Sequence, residues 1–87
     1  MKIGVDTTAD AMYIELADRS GKVARTVSID DGTMCDLDAE GHLLGIEVIG
    51  PGRFWPLAEI LARYEVSRDD QAMIMAMYPY GFSVQVA

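Results

Sequence analysis

A single cysteine, Cys35, is all this sequence offers for disulfide chemistry. No intramolecular bridge can form, whereas a small secreted fold would usually carry several. Cationic side chains are also scarce. Seven Lys and Arg stand against fourteen Asp and Glu, a net charge of −7. Nucleic-acid phosphates and anionic lipids are therefore poor partners, and basic proteins or metal cations better ones. No apolar stretch is long enough to cross a bilayer. The longest uncharged run, 71–87, falls short of the ~20 residues required and is broken by Pro79 and Gly81. Asp6 interrupts the start of the chain before any apolar core of a signal peptide develops. These absences predict a cytoplasmic protein with no membrane association.

Apolar material is plentiful. Hydrophobic residues make up 51% of an 87-residue chain. A chain this short forms one domain, residues 1–87, and buries only about 60–65% of its unfolded surface. So much apolar surface requires a dense core or cover from a second chain. No linker, tandem repeat or low-complexity segment divides the sequence.

The first half alternates with period two, the signature of strands with one buried face. Lys2–Val5 is a short strand, followed by the polar loop Asp6–Ala11. In the next strand Met12, Ile14 and Leu16 share one face, and Tyr13 and Glu15 the other. Turn chemistry recurs at Asp18-Arg19-Ser20-Gly21, Asp30-Asp31-Gly32 and Asp38-Ala39-Glu40-Gly41. Val23, Val27 and Ile29 lie between the first two turns. Cys35 and Leu37 precede the third, and Leu44, Ile46 and Val48 follow it. Pairing Leu37 with His42 sets Cys35 opposite Leu44 and superposes the apolar faces, which predicts that register. Short connections imply antiparallel neighbours, hence a β-meander over 3–50.

After Gly50-Pro51-Gly52 the period changes. Pro56 opens a helix whose stripe is Leu57, Ile60, Leu61 and Tyr64. Ser67 with Asp70 has capping-box spacing and starts a second helix at Arg68, so 56–78 reads as a helical hairpin. Residues 82–86 read as a short extended piece. Within the hairpin, 72–77 is apolar at every position, and spacing alone leaves helix or strand open. Either way it needs cover on two sides. The meander and first helix could supply it, or a second copy of the chain, and the latter predicts a homodimer. The predicted fold class is α+β: an antiparallel β-meander of four to five strands with two C-terminal helices packed on one face.

Several motifs also have plainer structural readings. Asp36 to Glu47 follows EF-hand spacing, with Asp36, Asp38 and Glu40 at positions one, three and five, Gly41 at six and Glu47 at twelve. Its flanks alternate as strands, so an acidic hairpin turn explains the same residues without calcium. The helical pair has helix-turn-helix shape, but Asp69 and Asp70 would lead the recognition helix into phosphates. Cys35 and His42 are unique in type, yet Cys35 sits on an apolar face with no cation beside it to activate a thiolate. No catalytic residue is assigned and no cofactor is implied. The loop residues Asp6 and Asp10, with Tyr13 and Glu47, form the candidate binding set. Against it stands loop capping by Asp and Thr side chains.

Val5-Asp6-Thr7-Thr8-Ala9-Asp10-Ala11-Met12-Tyr13-Ile14-Glu15-Leu16, then Asp31-Gly32, Asp36-Leu37-Asp38, Gly41 and Gly45-Ile46-Glu47-Val48, resemble the small prokaryotic proteins of domain-of-unknown-function family 2283. That pattern is roughly YD-x-EADALYI-x-L, a turn, then D-x-D-x-x-G-x-x-x-GIE. The resemblance covers about residues 3–49. Val5 replaces a usual Tyr, Thr8 replaces a usual Glu, and the helical half is an extension. It implies an antiparallel meander and no activity. Some members are similar to partners in proposed toxin–antitoxin pairs, which implies an acidic chain that covers a basic protein. The functional expectation is thus a protein-interaction or homo-oligomeric module, antitoxin-like at its most specific. The alternative is a small-molecule or metal binder, or a small enzyme, with an acidic cleft.

Overall fold

The computed structural model describes residues 1–16 and 21–78. The turn expected at 18–21 falls largely outside the described residues, and the extended piece expected at 82–86 falls wholly outside them.

The elements are β1 (Lys2–Asp6), β2 (Ala11–Glu15), β3 (Arg25–Asp30), β4 (Thr33–Leu37), β5 (Leu43–Ile49), α1 (Leu57–Arg63) and α2 (Arg68–Met77). The strands form one antiparallel sheet in the order β1-β2-β5-β4-β3. The α+β class with five strands and two C-terminal helices is as expected. Strand order is more specific than a chain-order meander. A β1–β2 hairpin and a β3–β4–β5 meander are joined by β2–β5 pairing, so β2 and β3 are not neighbours. Hydrophobicity accounts for this. β5 is the most deeply buried strand, Leu43 to Ile46 and Val48 all being buried, and the centre of a sheet buries a strand most completely. There Met12 lies opposite Val48, and Ile14 opposite Ile46.

The β4–β5 hairpin departs from the predicted register. Leu37 pairs with Leu43 rather than His42, and Cys35 faces Ile46 rather than Leu44. The turn is longer than strict alternation requires. Asp38 N–H donates to the His42 carbonyl at 3.0 Å, and Gly41 adopts φ +88. The ladder also shifts between Asp36 and Leu37. The displacement of Cys35's partner is two residues, an even number, so Ile46 and Val48 keep the face that alternation assigns them.

That face carries Met12, Ile14, Leu16, Cys35, Leu37, Ile46 and Val48, which cluster with Trp55, Leu57, Ile60, Val66 and Ile74 from the helical half. The two helices thereby cover one side of the sheet. Pro56 precedes α1 as its N-cap, and Ser67 caps α2, its hydroxyl accepting the Asp70 N–H at 3.1 Å. The run 72–77 is helical. It is buried along one line only, at Ile74, while Met73 and Met75 are more than half exposed. Trp55 stands edge-on to Tyr78 at 5.0 Å, and the Tyr78 hydroxyl donates to the Trp55 carbonyl. This contact ties the end of α2 to the segment before α1.

Candidate functional site

The sheet face opposite the helices holds the polar chemistry. Tyr13 on β2 projects onto it and reaches over β5 to β4. Its hydroxyl donates to Asp36 Oδ2 at 2.8 Å, and Thr26 on β3 donates to Asp36 Oδ1 at 2.6 Å. Between Tyr13 and Asp36 lies Gly45, paired with Asp36 in the ladder. A methyl group at Gly45 would coincide with the Tyr13 ring and hydroxyl. One hydrogen-bonded strap therefore crosses four strands, and glycine is required where the ring lies on the backbone. Burial, then the bond to Asp36, holds the Tyr13 hydroxyl above its ordinary pKa, so it stays a donor.

Three of the four candidate binding residues border one open groove of about 400 Å³. Asp6, Tyr13 and Glu47 line it together with Gly4, Met12 and Ile49. Tyr13 and Glu47 are opposite each other in the β2–β5 ladder. Asp6 Oδ1 accepts the N–H groups of Thr8 and Ala9 at 3.0 and 3.1 Å, closing the β1–β2 loop. Asp10 is not among the groove's lining residues. It has a left-handed backbone, φ 53, and its carbonyl accepts the Gly50 N–H at 2.7 Å. Asp tolerates that conformation better than branched residues do.

The calcium-like residues separate into two places. Asp36 is in the strap, and Glu47 faces Tyr13 and Met34 within the sheet. Asp38 and Glu40 lie in the β4–β5 turn, where they gather with His42. Asp38 Oδ1 accepts the N–H groups of Glu40 and His42, both at 2.9 Å, and Oδ2 is 3.3 Å from His42 Nδ1. The His42 backbone donor is the largest influence holding the Asp38 carboxyl below its ordinary pKa. Cys35 is fully buried on the helix-covered face, and burial pushes its thiol up to about 11. His42 belongs to the exposed turn, so the two do not form a catalytic pair.

Two features escaped the sequence reading. Arg53 reaches back from the β5–α1 connection to the β3–β4 turn. Its Nε donates to the Ile49 carbonyl at 3.0 Å, one terminal nitrogen donates to the buried Thr33 hydroxyl at 2.8 Å, and the other lies 3.4 Å from Asp30. Its position just after Gly50-Pro51-Gly52 was the only clue. The second feature is apolar. Phe54 is 81% exposed, and Leu57, Ala58, Leu61, Met75 and Tyr78 line a shallow groove of about 310 Å³ between the helices. The helical periodicity identified the buried stripe and gave no warning that Phe54 would be left outside.

No helix among the described residues is long and apolar enough to cross a membrane. No curated protein and no solved structure matches the chain. A family model described as a protein of unknown function does match, over residues 2–50, ending where the sheet ends and leaving the helical hairpin outside. Among the residues that carry the resemblance, Tyr13, Asp36 and Gly45 build the strap, Asp38 and Gly41 the hairpin turn, and Asp6 and Glu47 border the groove. With more than half of its length so matched, this chain belongs to the DUF2283 family.

Proposed function

We propose that this domain is a protein-binding module that uses the outer face of its helical hairpin to hold a basic partner. The exposure of Phe54 beside the apolar groove between α1 and α2 carries this reading. An 81%-exposed Phe, with Met73 and Met75 on α2 also more than half exposed, is costly to hydrate unless a partner covers it. Methionine side chains adapt readily to a partner's surface. Charge selects the partner's sign: the chain carries −7 overall, and residues 54–78 hold four carboxylates against two guanidinium groups. An antitoxin-like pairing with a basic protein is the specific form of this proposal.

The test is affinity capture from the native cell, comparing the wild-type chain with a Phe54→Ser/Met75→Ser variant. A basic protein retained by the wild type and lost by the folded variant supports the proposal. Equal capture by both contradicts it.

A second reading rests on the groove beside Asp6, Tyr13 and Glu47. It would accept a small cationic or hydrogen-bonding ligand. Ligand binding by the wild type that is lost in Glu47→Gln, with no basic protein captured through Phe54 and Met75, would favour this reading over the first.

A further inference from the structure

The outer edge of β1 is complementary to itself. β1 is a terminal strand of the sheet, and the direction of its outward hydrogen-bonding groups follows from the ladder. Leu16 N–H donates to the Leu44 carbonyl, and Gly50 N–H to the Asp10 carbonyl. Antiparallel bonding alternates, so the even-numbered residues of β2 bond β5 and the odd-numbered ones bond β1. Lys2, Gly4 and Asp6, which pair with Glu15, Tyr13 and Ala11, therefore turn their backbone groups inward. Ile3 and Val5 turn theirs outward, toward no described strand.

We propose that a second copy of this chain pairs with β1 edge to edge about a two-fold axis at Gly4, making one continuous ten-stranded antiparallel sheet. This register sets Ile3 opposite Val5 of the partner, so the outward backbone groups of both residues exchange four interchain hydrogen bonds. It also sets Lys2 opposite Asp6 of the partner, twice by symmetry. Lys2 is exposed and makes no ion pair among the described residues. Only one Asp6 oxygen is engaged by its own loop. Val5, 44% exposed in the single chain, meets an apolar neighbour. At the axis Gly4 faces Gly4 in a non-hydrogen-bonded pair, about 4.5 Å apart, where side chains would crowd most; the Gly4 position is open in the single chain. Centring the axis on Ile3 or Val5 instead sets Lys2 or Asp6 against glycine and forfeits both charge pairs.

The opposite edge is unsuited to the same contact. On β3 the ladder is irregular between Ser28 and Asp30, a device that blunts edges. A two-fold at Val27 would set Arg25 against Ile29. The proposal extends the interaction-module reading by assigning self-association to the sheet edge and leaving the helical face for the partner.

Sedimentation velocity of the full chain, tagged at its C-terminus, tests it. The wild type is expected to dimerise at micromolar concentration. Lys2→Glu, which turns two attractions into two repulsions, should weaken dimerisation at least about tenfold. Val5→Pro removes an outward N–H without costing a β2 bond and should also give a folded monomer. Mixing Lys2→Glu with Asp6→Lys chains should restore a dimer, because both cross-strand pairs are then attractive. A wild type monomeric at 100 µM overturns the proposal. A dimer indifferent to Lys2→Glu and Val5→Pro also overturns it, while sparing the wider reading of an interaction module. Loss of that dimer in Phe54→Ser would locate it on the helical face instead.

Discussion

The Tyr13 hydroxyl reaches Asp36 at 2.8 Å only because residue 45, which its ring crosses, is glycine. Residues on three strands thus depend on one another, and the dependence can be measured. Tyr13→Phe removes one hydrogen bond to a carboxylate and should cost about 1.5–3 kcal/mol. Gly45→Ala displaces the ring and should cost a comparable amount. In a Tyr13→Ala background the Gly45→Ala change should be almost free. Urea titrations of the wild type, Tyr13→Ala, Gly45→Ala and the double variant give the coupling energy, which is expected to exceed ~1 kcal/mol. Additive effects would dissolve the strap into separate contacts.

Arg53 supplies a donor to the buried Thr33 hydroxyl. Arg53→Ala leaves that hydroxyl without this donor and frees the β3–β4 turn, and should destabilise by about 1–3 kcal/mol. Arg53→Lys should recover only part of the loss, since one ammonium cannot reproduce three directed contacts to Ile49, Asp30 and Thr33. Thermal melts of the three proteins decide this.

Cys35 should be chemically silent in the folded protein. Burial raises its thiol to about 11 and also denies access to reagents. An aromatic disulfide reagent at pH 8 is expected to label Cys35 only after denaturant is added. The sign of its pH linkage follows. A raised folded pKa favours the fold below the unfolded value near pH 9, and the contribution is lost as pH climbs toward 11. Cys35→Ala should flatten that alkaline decline.

At the acid end the sign reverses. Asp38 and Asp30 are both held below the ordinary carboxylate value. For Asp30, desolvation opposes the shift but is outweighed by the Gly32 N–H, Thr33 and Arg53. Their stabilisation is complete above the unfolded Asp value of about 3.9 and drains away as pH falls through the folded ones. Melting temperature should change little for these groups between pH 7 and 5 and drop below about pH 4. Asp38→Asn keeps an acceptor for the Glu40 and His42 donors but cannot titrate, so it should reduce the acid slope.

Much of the fold was legible because burial sets the period. Met12, Ile14 and Leu16 alternated, Leu57 and Ile60 followed a helical stripe, and Ser67 announced α2. What alternation could not encode was which strands meet. It is indifferent to whether β2 joins β3 or β5, and that choice was made by the depth of apolar burial around Ile46 and Val48. The hairpin register was missed for a related reason: Asp38 captures two backbone donors and lengthens the turn, a local side-chain effect outside any periodic pattern. Among the candidate site residues, Asp6, Tyr13 and Glu47 were brought to one groove because the β1–β2–β5 ladder aligns them. Asp10 was not, because its unusual backbone serves the loop. Arg53 and Phe54 were invisible, since a connection that folds back on a sheet leaves no repeat to read.

Hydrogen exchange on the complex with a captured partner tests the proposed function most directly. Amide protection is expected to rise across 54–64 and 72–78 and to stay unchanged along β2 and β5 near Tyr13 and Glu47. Protection confined to that groove, with the helical hairpin exchanging as in the free chain, would contradict the account.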